Sequence, residues 1–296
     1  MKHFYGAIRN SQDIRDFHIR HYFAAVEIPP AFNFVADMPT VRSQGKIGSC
    51  VAFASAYIQS FLKSQLLGVP VVLSPRFIYY ETLKAENRVG SDGIMPRDAA
   101  NTLLNLGVCE EGYCPYGDGS AAESPCESAM DFANAMKYEI SSYAACTSLG
   151  DVEQVLAKRI PVLLAMPVFQ NWEDQNVDLT GEIPMPVGDP IDGHGIAACG
   201  YDETRDEIYF ENSWGESWAP QSPMRPGFGI LPGEYVDQFL SNGMGTATVF
   251  TDIAPPAPLP PDPAEELILA EASEISGSPD VIKRVLYRYP LSNPSI

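Results

Sequence analysis

The amino-acid sequence predicts an α+β molecule of two lobes, helical first and β-rich second. Three features carry that reading. A broad apolar helical stripe follows Cys50, and short apolar runs of strand length crowd the chain beyond Tyr138. A proline-rich segment, Ala254 to Pro263, then marks where the folded body ends.

Residues 1–36 read as an extended leader with little periodicity, and the folded body as 37–252. Its helical lobe covers about 44–136 and its β-rich lobe about 137–252. In the first helix Phe53, Tyr57 and Phe61 recur at every fourth position beside Ala54, Ile58 and Leu62, and Gly68 and Pro70 supply the stop. Leu73-Ser74-Pro75 combines an N-cap with proline at the first helical position, opening a helix to about Glu86. A third helix runs from Pro96 to Leu106 and ends at Gly107. The segment from Gly112 to Pro125 is turn-rich, with a short helix expected after Ser124-Pro125.

Beyond Tyr138 a short helix over Asp151–Lys158 leads into PVLLAMPVF, a buried strand by its length and bounding prolines. HGIAACGY, EIYFENSW, GFGILP and TATVF are further strand candidates. A linker over 253–264 and a tail over 265–296 complete the chain, with short helices expected over Glu265–Glu274 and Asp280–Tyr289.

The bulk composition narrows the function. The 296 residues are 45% hydrophobic, enough for a large core or two smaller ones. The formal charge of −19 argues against nucleic acid or an anionic membrane as partner. No stretch approaches the ~20 apolar residues that cross a bilayer. The charged N-terminus lacks the apolar core of a signal peptide, which points to the cytoplasm and leaves export by a dedicated machine, or virion association, open. Six cysteines stand at 50, 109, 114, 126, 146 and 199. They form no matched metal-ligand knuckles, and only one histidine lies beyond residue 21, so no metal or cofactor is implied. Free thiols are the simplest reading, with a bridge among Cys109, Cys114 and Cys126 the alternative.

Three strings carry chemistry. Gln44-Gly45-Lys46-Ile47-Gly48-Ser49-Cys50-Val51-Ala52-Phe53-Ala54 puts a thiol at the start of a long buried helix. There the helix dipole and unpaired N–H groups stabilise a thiolate, bringing such cysteines to roughly 3.5–7.5 from ~8.5. Gln44 can offer its amide N–H, which with the Cys50 backbone N–H forms an oxyanion hole. By itself Cys50 reads equally well as a buried apolar cysteine. Gly193-His194-Gly195 sets a histidine at the head of an apolar strand. Alone it reads more readily as a satisfied core histidine. Asn212-Ser213-Trp214-Gly215 puts an asparagine at a strand end before a shielding aromatic. Together, a thiol, a base to exchange its proton and a neutral partner to fix the base's tautomer make a nucleophilic triad.

These strings resemble the papain family of cysteine peptidases, in a divergent bacterial and viral form. Gln44 through Phe53 is similar to the family's Gln-Gly-x-x-Gly-Ser-Cys-Trp-Ala-Phe, Gly193–Gly195 to its Gly-His-(Ala/Gly), and Asn212 through Trp218 to its Asn-Ser-Trp-Gly-x-x-Trp. His194 and Asn212 follow Cys50 by 144 and 162 residues, against the family's ~130–150. The resemblance covers about residues 37–252 and takes in Ser74-Pro75-Arg76-Phe77, Asp92-Gly93 through Asp98-Ala99, and Tyr113-Cys114-Pro115-Tyr116. It departs where Val51 replaces tryptophan, where Ile47 replaces a disulfide cysteine, and where Gly93 alone remains of a glycine pair.

The resemblance implies a helical left lobe with Cys50, a β-barrel right lobe with His194 and Asn212, and a substrate cleft between them. It implies a cysteine peptidase with Gln44 in the oxyanion hole and substrate contacts at Gly93, Gly193 and Trp214. Its partners are protein or peptide substrates, its state a monomer, and self-occlusion by the leader or the tail is open. The rival readings are isopeptide cleavage or acyl transfer by the same triad, a silent papain-fold binding protein, and an adaptor acting through its proline-rich tail.

Overall fold

The computed structural model describes residues 3–10, 18–22, 26–120, 122, 124–126 and 128–252; the linker and both tail helices expected beyond them lie outside the described residues. All of the described residues fall within one compact unit of the chain.

The first expected helix is α1 (Cys50–Leu67), and its first twelve residues are buried. A helix apolar on every face belongs at the centre of a fold, and α1 packs on both helices and strands. It stops at Gly68, where φ is +68° and the N–H returns to Ser64 O at 2.9 Å. Against it lie α2 (Pro75–Ala85) and α3 (Pro96–Asn105). The Ser74 hydroxyl accepts the Phe77 N–H at 3.1 Å, the cap that its place before proline predicts. The short helix after Pro125 is α4 (Ala129–Ala135), set by a capping box between Ser128 and Asp131. Cys114 and Cys126 are joined as a disulfide, while Cys50, Cys109, Cys146 and Cys199 are free, so the free-thiol reading holds for four of the six.

The second half is one antiparallel sheet. Its strands are β1 (Ala31–Asn33), β2 (Ser142–Cys146), β3 (Val162–Phe169), β4 (Pro190–Asp202), β5 (Glu207–Glu211), β6 (Phe228–Pro232) and β7 (Thr246–Thr251). The order is β2-β7-β3-β4-β5-β6, with β1 added on β4. β4 is long enough to serve three partners. It pairs with β3 up to Val162↔Ala198, and after a bulge between Ala198 and Gly200 it pairs with β1 from Asn33↔Gly200. Part of the stretch read as leader or its border is therefore a strand.

Three helices complete this half: α5 (Leu149–Ala157), α6 (Gln175–Thr180) and α7 (Gly233–Ser241). The expected barrel does not close. β2 and β6 end an open ladder, and α7 packs against β3, β6 and β7. Closure needs a matched stagger of every strand around the ring, which five-residue edge strands do not supply.

The halves meet where α1 crosses β4. A Cβ on Gly195 would lie 3.0 Å from Val51 Cα and Cγ2, so glycine there lets the helix tip approach the strand. Among the described residues no helix is long and apolar enough to cross a membrane.

Candidate active site

Cys50 is the first residue of α1 and fully buried. The loop before it is pinned from both halves. The Gln44 N–H donates to Ser213 O at 2.8 Å, the Ser213 hydroxyl donates to Gln44 Oε1 at 2.6 Å, and Gln44 Nε2 donates to Ile47 O at 2.8 Å. The Tyr116 hydroxyl donates to Gln44 O at 2.7 Å and lies 2.7 Å from Ser49 Oγ, so Ser49 is the donor of that second bond. The Gly48 N–H donates to Asp92 Oδ1 at 2.8 Å. These bonds fix which way the Gln44 amide nitrogen points.

His194 stands on β4 opposite Met166 of β3, and Asn212 directly follows β5. Asn212 Oδ1 accepts from the Ser213 N–H at 2.8 Å and lies 2.8 Å from His194 Nε2. An amide oxygen only accepts, so Nε2 carries the proton and Nδ1 is the free base. Nδ1 is buried without a hydrogen-bond partner. The His194 ring stacks on Trp214 at 4.6 Å and meets the edge of Trp172 at 6.1 Å. The Gly195 N–H donates to Cys50 Sγ at 3.3 Å. The sulfur of the first half thus touches the residue that follows His194 in the second.

The protonation states depart from the expected thiolate. Burial pushes the Cys50 thiol up to about 12, against the pull of the Gly195 and Val51 N–H groups. Burial also brings His194 down to about 4, against its bond to Asn212. Both shifts favour the uncharged pair. The helix tip is placed as expected, but without water its field does not ionise the thiol.

The chain's own N-terminus lies across the residues around this pair. Phe4 O accepts from Gln44 Nε2 at 3.2 Å and from Trp214 Nε1 at 3.3 Å. The Tyr5 ring meets His194 edge-on at 5.7 Å. Gly6 and Ala7 both donate to Gly193 O, at 3.1 and 2.9 Å. Ile94 donates to Gly6 O at 3.0 Å and accepts from Ile8 at 3.1 Å. A Cβ on Gly6 would fall 2.1 Å from Gly48 O, so glycine lets this segment lie on the glycine-bearing loop. Gly93, with φ +77°, sends its N–H to Asp92 Oδ1 and Tyr79, and serves the strand by clearance: a Cβ there would lie 2.5 Å from Gly6 O.

The residues singled out in the sequence therefore fall around one point: Cys50, Gln44, His194, Asn212, Gly193, Trp214 and Gly93. Sequence reasoning missed Phe4, Tyr5 and Gly6 over the site, and Asp92, Tyr116 and Ser213 beneath it. Tyr116, Asp92 and Ser213 lie within strings that resembled the family; the one local sign over residues 4–6 is the glycine at 6.

A profile described as papain family cysteine protease matches residues 29–225. An uncharacterized peptidase C1-like protein of Acanthamoeba polyphaga mimivirus is 28% identical over 221 residues, covering 71% of this chain and 70% of that protein. The cysteine endopeptidase RepA of Oryza sativa is 24% identical over 208 residues, 69% of this chain but 53% of its own, so the chain spans about half of that relative. Among solved structures, xylellain, a cysteine protease from Xylella fastidiosa, superposes with a TM-score of 0.72 at 27% identity, covering 84% of this chain and 96% of that one. Digestive procathepsin L 3 of Tenebrio molitor shares the fold at a TM-score of 0.63 and 16% identity, over 80% of this chain and 74% of that one.

Proposed function

This chain belongs to the papain family of cysteine proteases and is a hydrolase of the peptidase class; from that premise we propose how it cleaves and how it restrains itself. Cys50 is the nucleophile, His194 the acid and base, Asn212 the group that fixes the imidazole, and Gln44 an oxyanion donor. The observation that supports this best is Phe4 O. It is a backbone carbonyl oxygen held by Gln44 Nε2 and Trp214 Nε1, so the amide assigned as oxyanion donor is turned toward a peptide carbonyl lying in the site.

With a substrate in that place, Cys50 Sγ bonds to the carbonyl carbon while its proton passes to His194 Nδ1. The carbonyl oxygen becomes an oxyanion between Gln44 Nε2 and the Cys50 N–H. The C–N bond then breaks, and the leaving amine takes the proton from Nδ1, leaving a thioester on Cys50. Water gives a proton to Nδ1 and its oxygen to the acyl carbon. The C–S bond breaks, the acid departs and the thiol recovers its proton.

The segment over residues 3–8 is a self-inhibitor. It fills the cleft, and by keeping the pair dry it also keeps the pair uncharged, so the closed enzyme is blocked both sterically and chemically. The substrates are proteins or peptides. Hydrolysis of a quenched-fluorescent peptide library by the full chain tests this reading. Turnover lost in both Cys50→Ala and His194→Ala supports it, and turnover that survives either change refutes it.

A further inference from the structure

We propose that the end of the cleft formed by Trp214, Glu173 and Asp178 is a subsite for a cationic side chain on the leaving-amine side of the scissile bond, and that His3 fills it in the closed state. This deepens the peptidase reading above and rests on it.

The two ends of the cleft differ in chemistry. Toward Gly193 the covering segment is held by backbone bonds and borders a cavity of about 200 Å³ lined by Ala165, Met166, Pro167 and Met244, with Arg9 and Asp192 also on its wall. Toward Trp214 it is held by side chains. The His3 ring lies flat on Trp214, with centroids 4.0 Å apart and planes 7° apart. His3 Nε2 lies 2.5 Å from Asp178 Oδ1, the His3 backbone N–H donates to Glu173 Oε1 at 3.4 Å, and the Tyr5 hydroxyl donates to the same carboxylate. An aromatic plate with carboxylates at its edge is a cation site, because ring face and carboxylates attract the same charge and their geometry suits a planar cation such as guanidinium. The His3 side chain is 10% exposed and that of Asp178 25%, so water screens the pair less than on an open surface.

The direction follows from the proton. His194 protonates the leaving amine, and its ring stacks on the same Trp214 that carries His3. The half of the substrate that leaves as an amine therefore lies toward Trp214, Glu173 and Asp178. His3 adjoins Phe4, whose carbonyl oxygen is held by both Gln44 Nε2 and Trp214 Nε1, which places the subsite within the first two residues beyond the scissile bond. The net charge of −19 attracts the same class of substrate from solution.

The test uses the full-length enzyme and two quenched peptides that differ by Arg or Glu at those two residues. The ratio of their kcat/KM values is read, because a change in how often the strand opens multiplies both equally. The expected ratio favours Arg by about tenfold, the size of a partly desolvated charge pair, and falls toward one in Asp178→Asn/Glu173→Gln. A ratio near one in the native enzyme, or one unchanged by the double substitution, would overturn the subsite. A second arm needs no turnover, so loss of the peptidase reading is seen separately. Iodoacetamide should reach Cys50 about tenfold faster in His3→Glu than in His3→Arg, and Asp178→Asn/Glu173→Gln should remove that difference. Equal rates in the two His3 variants would also overturn it.

Discussion

The floor of the site and the strand that covers it are built differently. The floor is locked: Gln44, Cys50, His194 and Asn212 are all buried, and their bonds run between α1's loop and the ends of β4 and β5. The cover lies over that floor by backbone hydrogen bonds, three aromatic contacts and a pair of carboxylates. Among its described residues only Tyr5 and Ala7 pack on the hydrophobic core. A floor of this kind persists when the cover leaves, and that contrast separates structure from control.

The largest effect expected is on the floor's chemistry. Cys50→Ala or His194→Ala should each lower kcat/KM by about 10⁴ or more, while Asn212→Ala should cost roughly 10- to 150-fold, one bond to a group that becomes charged. Steady-state rates check both, and an Asn212 variant as dead as the cysteine variant would show that the asparagine holds up the fold itself.

A change in the cover should act with the opposite sign. Gly6→Val brings side-chain atoms against Gly48 O, where a Cβ already falls at 2.1 Å. A clash of about 1–3 kcal/mol shifts the balance toward the open state roughly 5- to 150-fold, so turnover should rise, with little change in the melting temperature of the body. The same kind of change in the floor should do the reverse. Gly195→Ala presses on Val51 and should cost about 1–3 kcal/mol of stability, with activity falling. A melting scan beside an activity assay distinguishes the two glycines.

The smallest effect is the pH dependence of closure. In the closed state His194 is held at about 4, below its ordinary 6.5, so opening takes up a proton and acid favours the open form between those values. Cys50 is held at about 12, above its ordinary 9.0, so opening releases a proton and base favours the open form above pH 9. Closure is then firmest between roughly 6.5 and 9.0, and each pH unit beyond shifts it by up to about 1.4 kcal/mol. Amide exchange at Gly6–Ile8, corrected for its intrinsic rate, should show this rise on either side. Flat protection from pH 7 to 4.5 would speak against it.

The same contrast explains what could be read from the sequence. The floor was legible because each part is a short contiguous string: a helix tip around Cys50, a strand head at His194, a strand end at Asn212. The open sheet was not, since closure depends on the stagger of distant strands. α7 has amphipathic spacing in Tyr235, Val236, Phe239 and Leu240, but strand candidates on both sides mask it. The cover was the least legible. Residues 3–8 find partners at 44, 94, 173, 178, 193 and 214, which no local period announces, and the one local sign is the glycine at 6. The sequence raised occlusion by the leader only as an open possibility, because nothing in it says which residues meet.

The most direct measurement is the rate at which iodoacetamide alkylates Cys50 at neutral pH in a chain opened by Gly6→Val, with and without His194→Ala. Fast labelling that slows severely when the imidazole is removed is the expected result. Equal rates in the two proteins would mean that His194 does not act on the thiol, and would contradict the base role assigned to it in this cleft.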